Sequence, residues 1–168
     1  MKVYLSYITL IAALVFTSGC KISVSFVGGT IDAKNFNIGD FPNYAPIVNP
    51  VFSQAFVDAL RTKIVNESNV KYTQSTAADL VFTGSVKNYS VGPVSATSAN
   101  TAAGNRLTVT IEVIYVNNVD PKKNFTKSYT EYADFQIDEN FNTLEPQFVK
   151  EIVDKFTRQV YLDIIPSW

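Results

Sequence analysis

The chain has 168 residues, with 14 Lys and Arg against 15 Asp and Glu, a net charge of −1 and no histidine. A charge so near zero excludes the broad basic field of a nucleic-acid-binding protein. A single cysteine excludes any disulfide within the chain, and without histidine the usual base for a cysteine or serine nucleophile is missing.

Lys2 is followed by the apolar run "YITLIAALVF", Tyr7 to Phe16, broken only by Thr9. That length suits the core of a signal peptide and falls short of the roughly 20 apolar residues of a membrane span. Small residues, Thr17, Ser18 and Gly19, then lead to Cys20. A bacterial lipoprotein signal peptidase cuts at such a place, after the thiol has taken a diacylglycerol; Thr17 stands where that box ordinarily carries Leu. Residues 1–19 therefore read as a removed signal peptide and 20–168 as one domain. Cys20 is the point of lipid attachment, with two or three palmitate-like chains holding it in a membrane at about 0.8 kcal/mol per buried methylene. The alternative is a secreted protein cut nearby, with a spare thiol. After Cys20, "KISVSF" carries no acidic cluster.

In chain order, "AKNFNIGDF" (33–41) alternates Phe36 and Ile38 with polar neighbours and predicts a strand. Pro42, Pro46 and Pro50 then impose extended geometry on the residues before them, which predicts a stiff connector. Asn49 suits a helix N-cap and Pro50 the first helical position. Phe52, Phe56, Leu60 and Ile64 form one apolar stripe, and Asn66 closes the helix. "VKYTQ" (70–74) predicts a short strand. "ADLVFTGSVKNYSV" alternates through Val86 and slips to Tyr89 and Val91, which predicts a bulge near Lys87 or Asn88.

In "RLTVTIEVIYV", Leu107, Val109, Ile111, Val113 and Tyr115 share one face of a strand. "NNVDPKK" predicts a hairpin loop and "NFTKSYTEYADF" the strand after it. On that strand Phe125, Lys127, Tyr129 and Glu131 mix both characters, so the pattern leaves its buried face open. A last helix, capped by Asn142 or Thr143 with Pro146 in its first turn, carries Phe148, Ile152, Phe156, Val160 and Ile164 as its stripe; Pro166 ends it. Two amphipathic helices and these strands predict an α+β fold: an antiparallel sheet of about four to five strands with both helices on one face.

"FPNYAPIVNPVFSQAFVDAL", "NRLTVTIEVIYVNNVDPKKNF", "YADF" and the terminal "IPSW" together resemble the lipopolysaccharide-assembly lipoprotein family LptE, in the form found in Bacteroidetes. The resemblance implies a non-enzymatic protein, lipid-anchored at the periplasmic side of the outer membrane. Such a protein sits in the lumen of the barrel LptD, assists its assembly and binds lipopolysaccharide on the way to the outer leaflet. No cofactor or metal is implied, and nucleic acid is not a partner. A different class remains open: a periplasmic lipoprotein adaptor that regulates a cell-envelope enzyme such as a peptidoglycan synthase.

Capture of lipopolysaccharide phosphates needs Lys or Arg. The candidates are Lys122 and Lys123 in the hairpin loop, Lys127 on the next strand and Arg106 at the start of the preceding one. The resemblance favours Lys127. The competing reading is that these are solvated cations, with Glu131 screening Lys127. Tyr129, Tyr132 and Phe135 are either core or contact residues. The small-residue loop 92–105 is either a lumen-threading loop or a hairpin tip, and Trp168 packs on the sheet or on a partner. Mass spectrometry of the protein from its native membrane is expected to find an acylated Cys20 as the first residue; a free thiol there rejects the anchor.

Overall fold

The structure, a computed structural model, describes residues 31–94 and 104–165. The signal segment, Cys20, most of the loop 92–105, Pro166 and Trp168 lie outside the described residues.

Five strands form one sheet: β1 (Asn35–Ile38), β2 (Lys71–Tyr72), β3 (Leu80–Val94), β4 (Gly104–Asn117) and β5 (Phe125–Gln136), in the spatial order β2-β1-β3-β4-β5. Two helices complete the fold, α1 (Phe52–Glu67) between β1 and β2, and α2 (Phe141–Ile164) at the end. β3, β4 and β5 are antiparallel neighbours, as the hairpin loop predicts. β1 runs parallel to both β2 and β3, so the sheet is mixed, though mostly antiparallel. The parallel part arises because the connector and α1 carry the chain back across the sheet before β2, and such a crossover returns a strand in the same direction. Beyond β1 the connector continues beside β3, where Tyr44 donates to the Val86 carbonyl at 2.9 Å and Val86 donates to that of Pro42 at 3.0 Å. The β3–β4 register shifts between Val86 and Asn88, which puts the predicted bulge at Lys87.

Local chemistry sets the helix starts. The Asn49 side-chain oxygen accepts from the backbone N–H groups of Val51 (2.9 Å) and Phe52 (3.0 Å), two donors that a helix leaves without partners at its start. Pro50 loses nothing there, because its missing N–H would be unused. At α2 the cap is Asn140, which accepts from the N–H of Asn142 at 3.0 Å. The helix thus begins ahead of the predicted caps, Asn142 and Thr143. The reason is tertiary: Phe141 stacks on Phe135 of β5 with ring centres 5.7 Å apart, which draws the first turn down to the sheet. Pro146 then falls one turn inside the helix. At the far end Ile165 is extended, as required of a residue before proline.

Both helices cover the same sheet face. The stripe Phe52, Phe56, Leu60 and Ile64 is fully buried, as are Leu107, Val109, Ile111, Val113 and Tyr115 of β4. Each such side chain contributes roughly 1.5–3 kcal/mol relative to exposure. Phe156 of α2 meets Phe52 and Phe56 of α1 edge-on at 6.3 and 6.4 Å, and Phe148 meets Phe135 at 5.6 Å. Burial along β5 falls on Tyr129, Ala133 and Phe135, so the odd-numbered residues of this strand face the helices.

Two polar clusters pin the helices to the sheet. At one end the Tyr89 hydroxyl donates to Glu145 at 2.6 Å, and Asn49 donates to the same carboxylate oxygen at 2.8 Å. This joins β3, the entry to α1 and the start of α2. Burial, with the carboxylate beside it, raises the Tyr89 pKa well above its ordinary value. At the other end Asp163 of α2 accepts from the Tyr129 hydroxyl (2.6 Å) and the Lys127 ammonium (2.7 Å) of β5. Burial pushes the Asp163 carboxyl up, but the two hydrogen bonds and the Lys127 charge outweigh it and hold the group below its usual value. Tyr161 closes α1 by donating to the Glu67 carbonyl at 2.6 Å.

Gly84 is needed for space. A Cβ there would collide with the Glu112 carbonyl and reach 2.5 Å from the Phe41 ring, whereas one at Gly92 would meet nothing within 4 Å. In urea unfolding, Gly84→Ala is expected to lose about 3 kcal/mol and Gly92→Ala close to none; equal losses refute the packing account. Asp163, with its lowered pKa, contributes stability above its ordinary value near 4 that is lost as the pH falls through the folded value. Asp163→Asn is therefore expected to melt lower at neutral pH and to show a shallower fall in Tm from about pH 5 to pH 2; parallel Tm profiles for the two proteins would count against it.

Candidate functional site

The sheet face away from the helices is open and hydroxyl-rich. Register aligns Ser90, Thr108 and Tyr132 in one row across β3, β4 and β5, and Asn88, Thr110 and Thr130 in the next. The Thr110 and Thr130 hydroxyls lie 2.9 Å apart, and Asn88 donates to Ser90 at 3.0 Å. Two cations of this face are neutralised in place: Lys87 meets Glu112 at 2.9 Å, and Arg106 meets Asp134. Burial on one side of β4 leaves the other side free for such residues, because side chains alternate between the faces.

Arg106 spends its fork on Asp134. Its Nε and Nη2 reach the two carboxylate oxygens at 2.5 and 2.7 Å, and the guanidinium lies 3.8 Å over the Tyr132 ring. The hydrogen bond from Arg106 lowers the Asp134 pKa.

The three candidate lysines sit at the opposite end. Asn117, itself buried, builds the hairpin tip by accepting from the N–H groups of Val119 (2.9 Å) and Asp120 (2.8 Å), while Asn124 accepts from the Asn117 N–H at 2.7 Å. Asp120 then caps a 3-10 turn, Pro121–Lys123, which carries Lys122 and Lys123 outward. Both are exposed; Lys123 has Asp120 at 3.5 Å, and Lys122 makes no ion pair among the described residues. Lys127 lies close by in the chain, at the register position of Val113, on the helix-covered side. The fold therefore brings Lys122, Lys123 and Lys127 to one end of the β4–β5 hairpin. It does not bring Arg106 to them: at a strand's rise of about 3.4 Å per residue, Arg106 stands about 30 Å away, and it faces the other side of the sheet.

Sequence reasoning missed the partner of Lys127. Glu131, the expected screen, turns instead to Gln159 and Lys155 of α2, and Asp163 takes the lysine. The available signal was helical spacing: Lys155, Gln159 and Asp163 recur every four residues, one flank away from the stripe, and so had to lie over an edge of the sheet. Of the aromatic candidates, Tyr129 and Phe135 are core, while Tyr132 is 47% exposed on the open face. Among the described residues no cluster fit to hold a metal occurs, and no helix is long and apolar enough to cross a membrane.

No curated protein matches the chain. Among solved structures, a minor lipoprotein from Acinetobacter baumannii is similar at 12% identity and a TM-score of 0.49, covering 80% of this chain and 97% of that one. Lipoprotein GNA1162 from Neisseria meningitidis is similar at 10% identity and a TM-score of 0.44, covering 74% and 99%. An uncharacterized lipoprotein B from Nitrosomonas europaea is similar at 12% identity and a TM-score of 0.43, covering 84% and 90%. Likenesses this loose carry no functional argument. The family model for LptE, lipopolysaccharide-assembly, matches residues 33–164, from the residues before β1 to the end of α2, and the chain belongs to that family.

Proposed function

We propose that the protein is an outer-membrane lipoprotein, anchored through Cys20 after loss of residues 1–19. It occupies the lumen of an LptD-type barrel, assists its assembly and binds lipopolysaccharide in transit. It works by contact and not by catalysis. The observation that carries this reading is the family match over residues 33–164 joined to the character of the free sheet face. A barrel lumen is polar, and a body lodged in it needs a hydrogen-bonding surface with its charges already balanced. The hydroxyl rows of β3, β4 and β5, with Lys87 and Arg106 each paired in place, supply such a surface.

Lipopolysaccharide phosphates are best met at the hairpin end. Lys122, Lys123 and Lys127 are gathered there, Lys122 has no competing ion pair among the described residues, and Lys127 has two donors beyond the one spent on Asp163. Arg106, stacked and bidentate on its own carboxylate, would first have to give up Asp134.

Co-purification from native outer membranes under mild detergent is expected to bring down a large β-barrel protein; recovery of a peptidoglycan synthase instead selects the adaptor reading. Binding of the purified protein to lipopolysaccharide is expected to weaken roughly ten-fold or more in Lys122→Ala/Lys123→Ala/Lys127→Ala, since each charge-assisted contact is worth on the order of 1.5 kcal/mol or more. Arg106→Ala is expected to leave it near the parent value. An unchanged affinity in the triple variant rejects the site.

A further inference from the structure

β5 is an outer strand of the sheet, and its free edge is closed at one end and open at the other. At the closed end Lys155 donates to the Tyr132 carbonyl at 3.2 Å, and the Gln136 N–H donates to Glu139 at 2.6 Å. These bonds also establish that the even-numbered residues of β5 aim their backbone groups away from β4, since N–H and C=O directions alternate along an antiparallel pair. Thr126, Ser128 and Thr130 share that direction, and their outward backbone groups meet no partner among the described residues.

Alongside this open stretch lies a groove of about 340 Å³ between the strand edge and α2. Its floor is Lys127 to Thr130, and its wall is Gln159, Leu162 and Asp163. Leu162 projects from α2 with 62% of its surface exposed, an apolar shelf above the edge. Asp163 offsets the charge of Lys127 at 2.7 Å and takes one of its donors, so the floor of the groove presents mainly backbone polarity, with one apolar contact above it.

We infer that the Phe125–Thr130 edge of β5 takes an added β-strand: a short extended segment of the barrel partner, with an apolar residue under Leu162. The repeat of the open groups decides the chemical class. Backbone donors and acceptors recur every second residue, about 6.8 Å apart, and another extended backbone matches that repeat where a phosphate or an acyl chain does not. The choice of the barrel as the source of the segment rests on the function proposed above.

The test uses the full-length lipoprotein made together with an LptD-type barrel. A photoreactive residue is placed at Ser128, at Leu162 or, as a control on the open face, at Thr108. In parallel, Ser128→Pro and Thr130→Pro each remove one outward N–H, which an edge strand tolerates. The expected result is crosslinking to the barrel from Ser128 and Leu162 as well as from Thr108, with barrel recovery reduced about ten-fold in the proline variants at an unchanged melting temperature. If the proline variants fail to fold, the crosslinks decide alone. Recovery of the barrel with crosslinks only from Thr108 overturns the edge site and leaves the plug reading standing. Crosslinks from Ser128 to a second copy of the chain overturn the barrel as occupant. No barrel recovered with the parent protein overturns both.

Discussion

The fold depends on the alternation of β4. Five residues of one side, Leu107 to Tyr115, are withdrawn from water, while Thr108 and Thr110 on the other side are not. A sheet built around such a strand has one face that must be covered and one that need not be. Both helices accept that constraint. Their stripes meet each other at Phe52, Phe56 and Phe156 and meet the sheet at Tyr89 and Phe135, so one core serves three layers of contact.

The polar residues at the margins follow from the same arrangement. Apolar packing fixes how deep a helix sits but tolerates sliding along its axis, whereas a hydrogen bond of 2.6 Å to a buried hydroxyl does not. Glu145 on Tyr89 fixes one end of α2, and Asp163 on Tyr129 fixes the other. The lysine and glutamate on the covered side of β5 have a further effect. Inward-facing charges on an edge strand discourage indiscriminate pairing with other strands, and α2 satisfies both, Lys127 through Asp163 and Glu131 through Gln159 and Lys155. The edge is thereby guarded against aggregation without being shut along its whole length.

The described surface of this member of a lipopolysaccharide-assembly family carries three different chemistries. This chain separates them in space. The hydroxyl rows face one way, the lysines cluster at the hairpin end, and the open backbone edge lies along β5. Because Lys87 and Arg106 of the open face each carry their own counter-charge, the β3–β5 part of that face is polar without being strongly charged. Such a face suits contact with a wall lined by side chains of either sign.

Patterns local to a few residues were legible in the sequence. The two apolar stripes, the bulge at Lys87, the capping by Asn49 and the hairpin at Asn117–Lys123 all rest on spacing or on turn chemistry within about one turn or one strand. The expectation of a lipid anchor rests on the residues leading to Cys20, and those of a barrel partner and of lipopolysaccharide binding rest on the likeness of ordered segments to a family. Three things needed the tertiary structure. The direction of β1 depends on where a helix returns the chain, which no periodicity encodes. The buried side of β5 depends on which residues α2 can satisfy, since Lys127 and Glu131 look solvent-facing until Asp163 and Gln159 are placed above them. The separation of Arg106 from the lysines depends on register and on the alternation of faces along paired strands. These are relations between segments brought together only when the core closes, and a linear pattern holds no record of them.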